Sequence, residues 1–109
     1  MESMASATRY IDLAAEVAIP ENGTLSRVLH SDDRVRLVVF AFDTGQELTD
    51  HAAGVPAIVQ VVSGRLEVDL EDDTVEIDSH SWIHMPARLP HAVRALEPSV
   101  MILSLLKGG

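Results

Sequence analysis

Residues 65–78 read RLEVDLEDDTVEID, an alternation of apolar and polar side chains interrupted only by a pair of acids. Period-two alternation sends successive side chains to opposite faces of an extended chain, so the segment suits half-buried β-strands and not an amphipathic helix. Leu66, Val68 and Leu70 share one face, and Glu67, Asp69 and Glu71 share the other. After a turn at Asp72 and Asp73, Val75 and Ile77 resume the apolar face against Glu76 and Asp78. This predicts a hairpin with one wet face. It carries seven of the 17 acidic residues, which read as a solvated outer surface. A calcium loop would instead need its oxygens to converge within one loop.

The rest of the chain agrees with a β architecture. Residues 34–43, RVRLVVFAFD, hold their charges at the ends and Val and Phe between, as in a strand buried on both faces at its centre. Residues 56–62 form a second such run, closed by a turn at Ser63 and Gly64. WIHM (82–85), HAVRAL (91–96) and VMILSLL (100–106) supply further strands. YIDLAAEVAI (10–19) suits a short helix by its Leu and Ala content, or an extended arm ending at Pro20. The extended reading is preferred, because the β signal dominates from Leu25 onward. Residues 1–8 are small and polar, as in a frayed leader. Short strands spaced by turns predict a single all-β domain, a sandwich or small barrel.

Composition bounds the function. A chain of 109 residues is one domain, able to bury roughly two-thirds of its surface. A net charge of -9 argues against nucleic-acid and anionic-membrane partners. The absence of cysteine excludes disulfides, thiolate zinc sites and cysteine nucleophiles. No basic segment precedes an apolar run, and no apolar run approaches the ~18 residues of a membrane span. The expectation is a soluble, cytoplasmic protein.

Two segments are similar to the paired motifs of the cupin superfamily. In the first, Gly45 is followed by QELTD and then His51, with a closing glycine at Gly64; Ala53 and Ala57 stand where that family places a second histidine and a glutamate. In the second, HSWIHMPARLPHAV, Pro86 and His91 match, while His80 and Arg88 replace glycines. AIVQVVSGRLEV and the ILSLLK ending further resemble small single-domain, cupin 2-like proteins of unassigned function. The resemblance implies a jelly-roll β-barrel or sandwich of two antiparallel sheets spanning residues 1–109. It also implies a homodimer, with residues 1–20 as an N-terminal arm available for exchange between protomers.

In metal-loaded cupins the positions of His51 and His91 supply imidazole ligands. Replacement of the other two donors by alanine leaves two neutral nitrogens, too few for a protein-held divalent ion. Two residues are candidates to complete a site. Gln60 lies within an apolar run where an unsatisfied amide would cost about 1–3 kcal/mol. His84 is flanked by apolar residues, and the cupin topology places its strand beside that of Gln60. The full candidate set is therefore His51, His91, Gln60 and His84, for zinc, nickel, iron or manganese, or for no metal. Gln60 sits three residues beyond the family's glutamate position, so it faces inward only if a bulge intervenes. The alternative for Gln60 is a core amide bonded to His84 or to backbone, and for His84 a satisfied core histidine. His30 and His80 occupy turn-like contexts and read as exposed. Glu47 and Asp50, just ahead of His51, could supply a carboxylate but read as exposed, and Arg88 could reach the pocket rim and attract an anionic ligand but reads as a surface arginine. Trp82 reads as a barrel or interface residue, and Phe40 and Phe42 share one strand face.

The leading expectation is a metal-binding cupin that binds or transforms a small anionic or oxygen-chelating molecule in its cavity. The alternative is a metal-free ligand-binding or sensing module with the same pocket. No residue pair has a spacing specific to one reaction, so the sequence assigns no catalytic residue.

Overall fold

The computed structural model of the protein describes residues 5–51 and 53–108, with the side chains of Asp50 and His51 outside that description. The leader expectation for residues 1–4 also falls outside it; residues 5–8 are exposed and without regular structure. The strands are β1 (Thr24–Ser31), β2 (Val35–Phe42), β3 (Glu47–His51), β4 (Ala57–Ser63), β5 (Leu66–Leu70), β6 (Asp73–Ile77), β7 (Trp82–Met85), β8 (His91–Ala95) and β9 (Ser99–Leu106). They form a five-stranded sheet ordered β1-β2-β9-β4-β7 and a four-stranded sheet ordered β3-β8-β5-β6. Every pairing is antiparallel. This is the all-β, two-sheet architecture that the alternation implied.

The core lies between the sheets. Phe42, Val59, Val61, Met101 and Leu103 face inward from one sheet, and Leu66, Val68, Val93 and Ala95 from the other. Phe40 and Phe42 stack with ring centroids 5.9 Å apart and add to this layer. Expectation and structure agree that β2 is buried on both faces, and the reason is a second apolar layer outside the five-stranded sheet. There Val39, Val100 and Ile102 are covered by Tyr10, Leu13 and Val17 of the N-terminal arm. The arm is extended apart from one 3-10 turn at Leu13–Glu16. The Asp12 carboxylate caps this turn by accepting from the Ala14 amide at 3.2 Å. The arm is anchored on its own chain: the Tyr10 hydroxyl donates to the Leu29 carbonyl at 2.6 Å.

Gly64 illustrates how tightly the layers close. Its φ is +86°, and a Cβ there would fall 2.5 Å from the Pro98 carbonyl oxygen. Only glycine meets both demands.

Candidate functional site

Two connections bound one end of the barrel. β3 ends at His51 and the chain re-enters the opposite sheet at Ala57; β7 ends at Met85 and the chain crosses to His91. The two crossovers are tied together where the Arg88 amide donates to the Ala53 carbonyl at 2.7 Å. The His51 and His91 ends of the four-stranded sheet therefore meet the Ala57 and Met85 ends of the five-stranded sheet at a common mouth.

His91 faces inward there. Along β8, His91, Val93 and Ala95 are buried while Arg94 is exposed, the period-two pattern of a strand over a core. With 6% of its surface exposed, His91 is the one buried titratable side chain among the described residues. Its Nδ1 lies 3.0 Å from the Leu89 carbonyl oxygen. A carbonyl can only accept, so Nδ1 is the donor in this contact.

His51 is placed opposite His91 by the β3–β8 register. A bulge makes this pairing: Leu48 opposes Val93, His51 opposes His91, and Thr49 and Asp50 together span the place of Ala92. Without the extra residue, position 51 would have the opposite parity to Leu48, which packs on the core. Directly opposed positions of an antiparallel pair lie on one face. The bulge thus aligns positions 51 and 91.

Gln60 and His84 do not join them. β4 buries Ala57, Val59 and Val61 and exposes Gln60; β7 buries Met85 and exposes Trp82 and His84. Both residues therefore occupy the outer face of the five-stranded sheet. The two strands are neighbours as expected, with Gln60 opposite Trp82 and Ile58 opposite His84, but they share the wrong face. The bulge that would turn Gln60 inward is absent at that point; the irregularity in β4 falls later, between Val61 and Ser63. Solvent satisfies the Gln60 amide, which removes the burial penalty that made it a candidate. His84 stacks against Trp82, ring centroids 6.3 Å apart, in place of a core environment.

The four-donor set is thereby corrected to two imidazole positions. Ala57, at the family's glutamate position, is buried and inward but offers no donor. No group of three or more His, Cys, Asp or Glu capable of holding a metal forms among the described residues. Protein-held zinc and iron sites use three or four such donors. Among the described side chains, His91 is the one such donor that faces the mouth.

The other histidines lie elsewhere. His80 is exposed. His30 is half-buried at the end of β1, not fully exposed, with Nε2 2.7 Å from the Asp32 carboxylate. That contact, followed by the amides of Arg34 and Val35, holds the Asp32 carboxyl well below the usual carboxylate range. The acidic hairpin does form a solvated surface. On it a groove of about 310 Å³ includes Glu47, Glu67, Asp69 and Arg94 among its lining. Arg94 is occupied by Glu47 at 2.6 Å and Glu67 at 2.8 Å, so these charges serve cross-strand pairing.

The sequence reading passed over Arg36, which it left as a charge at a strand end. Register places Ser31, Arg36, Leu105, Ala57 and Met85 in one row across the five-stranded sheet. Arg36 shares parity with Phe40 and Phe42, whose core packing marks that face as inward. It is exposed because its row ends at the mouth. The four-residue separation from Phe40, an even number of strand steps, was the signal that could have found it.

Comparisons with solved structures agree with this architecture. A conserved protein of unknown function from Streptococcus pyogenes is 32% identical, with 98% of this chain and 94% of that one covered and a TM-score of 0.84. A cupin superfamily protein from Desulfitobacterium hafniense is 21% identical, covers 94% of each chain and has a TM-score of 0.85. A cupin 2 conserved barrel domain protein from Leptotrichia buccalis is 27% identical over 87% of this chain and 46% of its own, with a TM-score of 0.82. No protein-family model and no curated protein matches the chain.

Proposed function

We propose that this chain, which shares its fold with cupin superfamily and cupin 2 conserved barrel proteins, is a small-molecule-binding domain whose barrel mouth reads the ligand's polar group with His91 and His51. The observation that carries this reading is a buried, inward imidazole in an otherwise apolar interior, with a second histidine opposite it in register. Apolar walls favour a ligand's carbon skeleton but give its polar atoms no partner. Leaving a buried hydrogen-bonding group unpaired costs about 1–3 kcal/mol. A ligand that places its polar group on the imidazoles avoids that cost, and one that cannot do so is rejected. An imidazole accepts from a hydroxyl or enol through a bare ring nitrogen and donates to an acceptor through its N–H.

This favours the metal-free form of the reading over the metal-binding form. Two imidazoles leave a zinc, nickel, iron or manganese ion short of protein donors, unless the ligand itself chelates it through oxygen. Elemental analysis of protein purified without a nickel column is expected to find well under one transition metal per chain. About one equivalent of metal, lost in both His51→Ala and His91→Ala, would return the metal form to first place. For ligand binding itself, the imidazole NMR signals of His91 report on a small-molecule panel. A binder is expected to shift them and to lose about tenfold or more in affinity in His91→Ala while the fold is retained. A binder unaffected by both substitutions would remove the site from the barrel mouth.

A further inference from the structure

The basic side chains of this acidic chain are unevenly committed. Arg27 pairs with Glu16, Arg65 with Glu76 and Glu97, and Arg94 with Glu47 and Glu67. Lys107 donates to the Ser31 hydroxyl and the Asp32 carbonyl. The side chains of Arg9, Arg34, Arg36 and Arg88 make no ion pair or hydrogen bond with the described residues; of these four, Arg36 and Arg88 belong to the mouth by register and by the crossover they sit on. Arg36 sits in the inward row with Leu105 and Ala57, two strands from Ala57, or about 10 Å at the usual strand spacing. Arg88 sits in the turn between Met85 and His91, its amide bonded to Ala53 on the other crossover. Its φ of +66° is a left-handed conformation that glycine would adopt without strain, yet an arginine occupies it.

We propose that Arg36 and Arg88 make the mouth selective for a small carboxylate-bearing ligand, with Arg36 the principal specificity-determining residue. The inference rests on the reading of His51 and His91 as the ligand-binding centre and names the chemical class that centre takes. A guanidinium presents a planar fork of donors matching the two oxygens of a carboxylate. From the inward row, Arg36 meets the charged end of a molecule whose apolar part lies against Leu105, Ala57 and Met85. Arg88, on the rim, raises the local concentration of anions that the acidic surface elsewhere repels. Glu71 stands on the same rim, its amide donating to the Pro90 carbonyl at 2.9 Å, so the field there is mixed and short-ranged. Selectivity then depends on contact with Arg36 more than on overall potential.

The test uses matched pairs of probes, each carboxylate against its own carboxamide: acetate through octanoate, and benzoate. Binding to the full chain is followed by NMR at low ionic strength, with the His91 ring as reporter. Wild-type protein is expected to prefer the carboxylate of at least one pair by about tenfold or more. Arg36→Gln is expected to erase most of that preference while leaving carboxamide affinity unchanged. Arg88→Gly is expected to lower it less and to make it less salt-sensitive, and Arg27→Gln, on the outer face, should leave it intact. Carboxylate preference undiminished in Arg36→Gln, or absent in wild type while carboxamides bind, overturns the specificity assignment alone. If no probe of either kind shifts His91, both this assignment and the binding-site reading on which it rests are overturned.

Discussion

Arg88 is the residue at which local strain and function meet. A left-handed non-glycine residue costs about 1–2 kcal/mol, and glycine gives back about 0.5–1 kcal/mol in unfolded-chain entropy. Arg88→Gly is therefore expected to stabilise the protein by about 0.5–1 kcal/mol. Thermal unfolding checks this, and a lower midpoint would show that the arginine side chain holds the turn. Asp32 makes a second prediction at this scale. Its carboxyl is held low by His30 first and by two backbone amides after it. A folded pKa below the unfolded one stabilises the native state above the ordinary carboxylate pKa of about 4, and that contribution drains away as acid titrates the folded group. Asp32→Asn should flatten part of the stability loss below about pH 4, as read from urea midpoints across pH. Gln60 shows why a residue can mislead: its apolar neighbours in sequence face the core, whereas its own parity turns it to solvent.

Elements resolve what residue types leave open. The hairpin of β5 and β6 was legible because its alternation is complete, and its wet face is where the acids pair with Arg94 and Arg65. β3 was not legible as a strand. Its five residues, ELTDH, contain one aliphatic side chain and a bulge, so period two is lost at the point where it matters. The arm shows a related limit. Its apolar residues cover the outer layer of the five-stranded sheet without completing a helix, since Asp12 caps only a four-residue 3-10 turn. The Tyr10 hydroxyl bond to Leu29 pins that cover. Tyr10→Phe is expected to cost about 1 kcal/mol and to speed amide exchange in the arm before the sheets. Unchanged exchange would mean that apolar contact alone holds the arm.

At the scale of the molecule, charge and apolar surface are segregated. The outer face of the four-stranded sheet bears Glu47, Glu67, Asp69 and Glu76, whereas that of the five-stranded sheet is apolar where the arm covers it and exposes Trp82 beyond. Trp82 is 59% exposed on an edge strand, and Ile11 of the arm is 91% exposed. Two acidic faces repel, so the homodimer implied by the resemblance is expected to form through the five-stranded sheet. Light scattering should give about twice the 11.8 kDa chain mass, and Trp82→Asp should shift the population towards monomer. A monomer at micromolar concentration in the wild type would dismiss this association. Among the described residues, no helix is long and apolar enough to cross a membrane.

The division between sequence and tertiary structure follows from range. Alternation, turn residues and the spacing of Gly45, His51, Pro86 and His91 are local or nearly so, and they sufficed for the two-sheet class. Which face Gln60, His84 and Arg36 occupy depends on where bulges fall, because one extra residue reverses every side chain beyond it. That choice is made by pairing between distant strands, and only the folded barrel records it.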